Sequence, residues 1–317
     1  MNEPSRSLRI ELRQWRQFVA LAEELHFGRA AARLHMTQPP LTQAIAGLET
    51  ALGVRLFERT QRSVHITPAG AALLPEVREL LARAQALPGL ARAAAAGELG
   101  RLRLAFVSTV GFDLLPRWVR AFRERWPQVA LELIEATGDV QLELLARGEV
   151  DAGFVLHSPG FTAPGLAQAL IASEPLVVAL PETHPLAAEE RPSLKSLLAE
   201  PLVIFPRRIL PSLFDAIFAL YNAAGRVPQV SQEAIQMQTI VNLVSAGLGI
   251  AWVPQSVRQF QRPGVVYRSV AWPRGRAVPA CETSLVWRED AVSPTLAHFI
   301  GFAIETPGST PARVAVL

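Results

Sequence analysis

The stretch that decides the fold is residues 26–49, HFGRAAARLHMTQPPLTQAIAGLE. Ala30, Ala31 and Ala32 make a short helix with a face small enough for close packing. His35-Met36 supplies a turn, and Thr37 stands where a helix N-cap belongs. Pro39 and Pro40 fall in the first turn of the next helix, where a missing N–H costs nothing. Leu41, Ile45, Leu48 and Leu52 give that helix a buried stripe, and Gly53 ends it. The opposite stripe is Pro39, Thr42, Gln43 and Ala46. An ordinary solvated face carries Lys and Glu, whereas this one is small and neutral, as a surface must be to approach base edges. The pattern is a helix-turn-helix.

Working outward, residues 12–25 repeat apolar side chains at helical spacing (Trp15, Phe18, Val19, Ala22, Leu25). The first ten residues lack such a pattern and read as a mobile tail. Gly28 is placed to cap the short helix. Strands are expected over 54–58 and 64–67 around a polar turn, a small wing. Thr67-Pro68 restarts a helix whose stripe, Leu73, Val77, Leu80, Ala84 and Leu87, suits packing on a partner helix. Pro75 is expected to kink it, Pro88-Gly89 to break it, and a hinge follows near Gly100.

Beyond Arg101 the period changes. Strands at 101–107, 130–136 and 151–156 alternate with helices at 114–126 and 140–147, which implies a parallel sheet with right-handed crossovers. Further strands are read at 176–180, 202–205, 250–253, 265–270 and 283–287, and helices at 212–224, 238–246 and 294–305. The fold class is α/β: a winged helix-turn-helix over 1–67, a linker helix and hinge over 68–100, and a two-lobed α/β domain over 101–305. Its first lobe covers about 101–172 and 275–305, its second 173–274, and a tail without structure follows from 306.

Composition agrees. Residues 1–103 hold 14 Arg against 9 Asp/Glu, a net of +5, while the rest carries −2, so the polyanion-binding part belongs at the front. Lys195 is the only lysine. The single Cys281 cannot form an internal disulfide, and it reads as a small buried residue in a strand rather than a redox sensor, which would need a resolving partner. No apolar run is long enough to span a membrane, and the N-terminus lacks a secretory core, so a cytoplasmic location is expected. The six histidines have no metal-ligand spacing, and no nucleophile elbow or P-loop is present. Gly247-Leu248-Gly249 follows a helix and opens a strand, the wrong order for a dinucleotide fingerprint. No enzyme, metal or cofactor is expected. A stand-alone binding protein would suit the last two-thirds of the chain but leaves the helix-turn-helix unexplained; a DNA-bending protein without a ligand stays open.

The opening ELRQWRQFVALAEELHFGRAAARLHMTQPPLTQAIAGLETALGVRLFERTQRSVHITPAG, followed by LRLAFVS, LLPRWVRAFRERWPQVALEL, LLARGEVDAGFV and VSAGLGIAWVP in order, resembles the LysR-type transcriptional regulators over residues 11 to about 305. The resemblance implies a winged-helix DNA-binding domain, a dimerising linker helix, a co-inducer domain with the fold of periplasmic binding proteins, and tetramers that bend promoter DNA. The implied partners are double-stranded promoter DNA, further copies of the chain as homodimer or homotetramer, a small organic-acid effector and RNA polymerase.

Candidate DNA-contacting residues are Thr37, Gln38, Pro39, Thr42 and Gln43 on the reading helix, with Arg29, Arg59 and Arg62 flanking it as phosphate or minor-groove contacts. Gln43 can bond adenine bidentately and Thr42 can meet a base edge or a thymine methyl. For the effector, ligands of open α/β sheets lie beyond the carboxyl ends of strands. That selects Ser108 and Thr109, Thr137 and Gly138, and Gln236 to Gln238 ahead of a second-lobe helix, with Phe205 and Pro206 as an apolar wall and Arg207 as a cation behind it. Helix starts favour a carboxylate. Relatives that sense muconate-like diacids carry an arginine soon after the DAGF strand. Here Val155, Leu156 and His157 follow, and His157 is expected as a hydrogen-bonded surface group rather than a second clamp.

Overall fold

The computed structural model describes residues 10–60, 63–273, 279–306 and 314–315. It divides into two compact units, Met1–Arg92 and Ala93–Leu317.

In the first unit, α1 (Leu12–Glu24), α2 (Phe27–Arg33) and α3 (Gln38–Leu52) precede a hairpin of β1 (Phe57–Arg59) and β2 (Val64–Ile66), then α4 (Pro68–Ala95). Phe18 and Leu21 of α1, Ala30 and Ala31 of α2, and Leu41, Ile45 and Leu48 of α3 are closed over by Leu56, Phe57, Val77 and Leu81. The small α2 face is what lets α1 and α3 share one core. His26, not Gly28, caps α2: its Nδ1 accepts from the amides of Gly28 (3.0 Å) and Arg29 (3.2 Å). Thr37 occupies the N-cap of α3 without a capping side-chain bond, and Gly53 ends the helix at φ 70°, where a Cβ would be strained.

α4 runs unbroken through both Pro75 and Pro88, contrary to the expected break. Each proline removes only its own amide bond, the second lies on an exposed stretch where water solvates the freed carbonyl, and the alanines after it are strong helix formers. The expected stripe also splits. Leu73, Val77 and Leu81 pack on the core of their own unit, whereas Leu80, Leu87 and Leu90 are left exposed.

The second unit begins with β3 (Gly100–Phe106), α5 (Leu114–Arg125), β4 (Val129–Glu135), α6 (Gly138–Ala146) and β5 (Ala152–His157). Strands β4, β3 and β5 are parallel neighbours. Next comes β6 (Ala167–Pro181), fifteen residues long, of which only 176–180 was anticipated. The remainder is α7 (Leu194–Leu197), β7 (Leu202–Ile204), α8 (Pro211–Asn222), β8 (Val230–Glu233), α9 (Met237–Ser245), β9 (Ala251–Pro254), β10 (Val265–Arg268), β11 (Ala280–Trp287), α10 (Pro294–Glu305) and β12 (Val314–Ala315).

The sheet is mixed, not purely parallel. β11 pairs antiparallel with both β5 and β6, because the chain leaves the first lobe on one strand and must return to it on the other. The first half of β6 pairs with β11; its second half pairs with β9 and β10. Strand β7 pairs with β8 in a separate two-stranded ladder. Two cores result. One gathers Leu102, Trp118, Phe122, Phe154, Phe299 and Phe302 around edge-to-face aromatic contacts; the other gathers Val177, Leu202, Ile217, Tyr221 and Trp252. Cys281 is fully buried in β11, and burial raises its thiol pKa well above the ordinary value. No helix among the described residues is long and apolar enough to cross a membrane. Of the expected N-terminal tail only Ile10 is described, and it packs against the helical core; of the C-terminal one only Thr306 and β12, which pairs with β6, are described.

Candidate nucleic-acid interface and ligand pocket

On α3 the residues Pro39, Gln43 and Ala46 are exposed and Thr42 is half-exposed, while the stripe Leu41, Ile45, Leu48 faces the core. The expected reading face therefore points away from its own unit. Thr37 and Gln38 are exposed at the start of the same helix. Thr42 donates its hydroxyl proton to the Gln38 carbonyl (3.1 Å), which leaves its oxygen lone pairs and methyl for an outside partner.

The flanking arginines are differently placed. Arg29 sits against Glu24 on an exposed surface (3.3 Å). Arg59 reaches Glu49 (3.1 Å) and lies over the Phe27 ring (4.9 Å), so its guanidinium is oriented by its own unit. Arg62 lies outside the described residues.

Glu49 was not anticipated as important. One carboxylate oxygen accepts from the amides of Leu56 (2.9 Å) and Phe57 (3.0 Å), and the other from Arg59. This single side chain fastens the reading helix to the first wing strand. Thr67 does similar work from the other end, donating to the Arg55 carbonyl (2.9 Å) and accepting from the Gly70 amide (3.0 Å).

In the second unit, a pocket opens between the two lobes. Ser108, Thr109, Thr137, Gly138, Phe205 and Gln236 all line it, as the strand-end rule anticipated. Met237, inside the expected 236–238 segment, lines it too, and Val107, Leu156, Ile209, Leu210 and Ile235 complete an apolar wall that sequence reasoning did not assign. Pro206 is buried away from the pocket. Arg207 points outward and forms a two-pronged ion pair with Asp215 (2.8 and 2.7 Å), so the expected cation behind the wall is absent. No charged side chain among the described residues lines this pocket.

The polar groups are concentrated at one pole. Thr137 and Gln236 are the N-cap residues of α6 and α9, and neither makes a side-chain capping bond, so the first-turn amides keep free donors. Thr109 is 5% exposed and its hydroxyl has no partner among the described residues. A buried hydroxyl left unpaired is costly, and a bound ligand atom would remove that cost.

His157 proves not to be a surface group. It is buried, with Nδ1 donating to the Ser158 carbonyl (2.9 Å) and Nε2 accepting from the Ser284 hydroxyl (2.8 Å). Burial holds its pKa below the ordinary histidine value, so it is a neutral tie between β5 and β11 and offers no second clamp.

Comparison with known proteins bears on both places. Residues 12–71 match the model of the bacterial regulatory helix-turn-helix proteins of the lysR family, and residues 95–307 match the LysR substrate binding domain. The chain is 46% identical to the HTH-type transcriptional regulator IlvR of Caulobacter vibrioides over 95% of its length and 100% of the relative's. It is 38% identical to the HTH-type transcriptional regulator AlsR of Bacillus subtilis, over 92% and 94% respectively. Among solved structures, full-length CbnR, a LysR family regulator, in complex with its target DNA aligns with TM-score 0.77 at 31% identity, covering 93% of this chain and 98% of that one.

Replacing Glu49 with alanine removes three charge-assisted bonds at once. We expect Glu49→Ala to lower unfolding stability of the first unit by about 1–3 kcal/mol and to loosen the wing. Glu49→Gln, which keeps an acceptor for the two amides, should recover part of that loss in denaturant titrations. Equal stability of wild type and Glu49→Ala would show that the clasp does not hold the wing.

Proposed function

The chain belongs to the LysR family of DNA-binding transcriptional regulators, and from that membership we propose that its effector is a small monocarboxylic acid held in the pocket between the two lobes. The observation that carries the reading is the unpaired, buried Thr109 hydroxyl beside the uncapped starts of α6 and α9. Free helix-start amides and the partial positive charge of two converging dipoles suit one carboxylate. Asp139, in the first turn of α6, belongs to a neighbouring recess lined by Phe161 and Arg208 rather than to this pocket. The remaining walls are apolar and hold no cation among the described residues, so a hydrocarbon or aromatic tail suits them better than a diacid.

DNA is read by α3 in the major groove, with Gln43 and Thr42 on base edges, Thr37, Gln38 and Pro39 at the entering end, and Arg29, Arg59 and Arg62 toward phosphates. Leu80, Leu87 and Leu90 form an exposed seam on α4, and its burial against a second copy of the same helix gives the dimer, with a tetramer by further pairing. The complex works in the cytoplasm, and its output is contact with RNA polymerase. A ligand moves such a system only through its differential affinity for two lobe arrangements; about 100-fold corresponds to about 2.7 kcal/mol.

Two measurements test this. Gln43→Ala should cost about 1–3 kcal/mol on the true operator and relax selectivity at particular base pairs, while a variant that discriminates among sequences as the wild type does would displace Gln43 from the reading face. Thr109→Val keeps the shape and deletes the hydroxyl. Isothermal titration with the monocarboxylates that bind the wild type should show a loss of about 1–3 kcal/mol, with DNA binding in the absence of ligand unchanged. Identical ligand affinity would remove Thr109 from the site.

A further inference from the structure

A second pocket adjoins the first, and the two share Thr109 and Leu156 as walls. Its chemistry is the opposite of the first. Glu174, in the segment of β6 where the strand passes from one lobe to the other, is half-buried there and accepts from the amide and the hydroxyl (2.9 Å) of Ser256. Both donors are neutral. Asp113 lies on the same wall, and its charge is matched by Arg117 (2.8 Å) on an exposed rim. Arg117 also lines this pocket but is taken up by Asp113, so Glu174 has no ion-pair partner among the described residues, and both its burial and the nearby Asp113 push its pKa above the usual carboxylate range. A bound positive charge would reverse that cost.

The acid alone would be a poor argument, since Ser256 gives it a structural role between β6 and the turn after β9. The independent observation is Thr109. Its hydroxyl is buried and unpartnered, and the residue forms part of both walls. Thr283, 5% exposed, adds a second hydroxyl-bearing side chain to the wall of the second pocket. One pocket thus offers donors without charge, the adjoining one offers an uncompensated carboxylate, and a hydroxyl residue stands between them.

We infer that the second pocket is a subsite for a primary ammonium group, so that the effector is an amino acid whose carboxylate lies at Thr109, Thr137 and the α6 start and whose ammonium faces Glu174. This rests on the carboxylate reading of the first pocket. It adds the class of the effector, a zwitterion, and places the cation at the lobe-to-lobe crossing, where occupancy bears directly on the hinge.

The test is isothermal titration of the full chain with butanoate, pentanoate and hexanoate and with the 2-amino and terminal-amino derivative of each. At least one amino derivative should bind about tenfold tighter than its parent acid. Glu174→Gln should abolish that gain and leave the parent acid's affinity unchanged. Arg117→Ala, on the exposed rim and so without consequence for folding, removes a competing cation and should enlarge the gain about two- to threefold. The inference is overturned if no amino derivative exceeds its parent, if the gain persists in Glu174→Gln, or if Arg117→Ala diminishes it. Parent acids that bind without any gain from an amine would defeat this inference alone. If neither parents nor derivatives bind at about 10 mM, the carboxylate reading fails and this inference with it.

Discussion

The antiparallel pairing of β6 with β11 is the constraint on which the sensing unit depends. The chain crosses from the first lobe to the second on β6 and returns on β11, and Glu174 stands opposite Cys281 in their register. The ladder is interrupted once, by a register shift between Thr283 and Ser284, and antiparallel pairing on both sides of it resists sliding, so a change in lobe arrangement has to come from twist and bend at this crossing. His157 and Ser284 tie β5 to β11 beside it, and Glu174 ties β6 to Ser256. The two lobes are thereby held as separate packed cores around a short, polar crossing, and the pocket is the space that remains where α6 and α9 begin.

The first unit solves a different problem with the same economy of side chains. A helix that must present an uncharged face to DNA cannot hold itself in place through surface ion pairs on that face. The fixing interactions sit behind it: the Glu49 clasp to the wing strand, the Thr67 link to Arg55 and Gly70, and the core of Phe18, Leu41 and Ile45. Arg59 shows the consequence, being both tied to Glu49 and stacked on Phe27. Its guanidinium is pre-oriented, which on the proposed reading lowers the entropy lost on meeting a phosphate.

What the sequence made legible follows from the range of the interactions. The three helices and wing come from local periodicity and caps, and residues 26–49 carry them almost alone. Ser108, Thr109, Thr137, Gly138, Phe205 and Gln236 were found because strand ends and helix starts are local features too. The first half of β6 was missed because AQALIASEP has little β-propensity and is a strand only through pairing with β11, more than a hundred residues away. Arg207 was misassigned because its direction is set by Asp215 on the following helix, and Ile209 and Leu210 join the pocket only once the lobes come together. Glu49 and His26 gave no sequence signal, since what they accept depends on where the backbone goes. The proline pair in α4 failed as a breaker because a single missing amide bond on a solvated helix is tolerated.

The central claim is that the unpaired hydroxyl and the uncapped helix starts between the lobes hold the effector by its carboxylate. The most direct measurement is a crystal structure of the sensing domain with a tight-binding carboxylic acid taken from a titration screen. The account predicts a carboxylate oxygen within hydrogen-bond distance of the Thr109 hydroxyl and of a first-turn amide of α6. A ligand seated elsewhere in the domain, with Thr109 still unpaired, would contradict it.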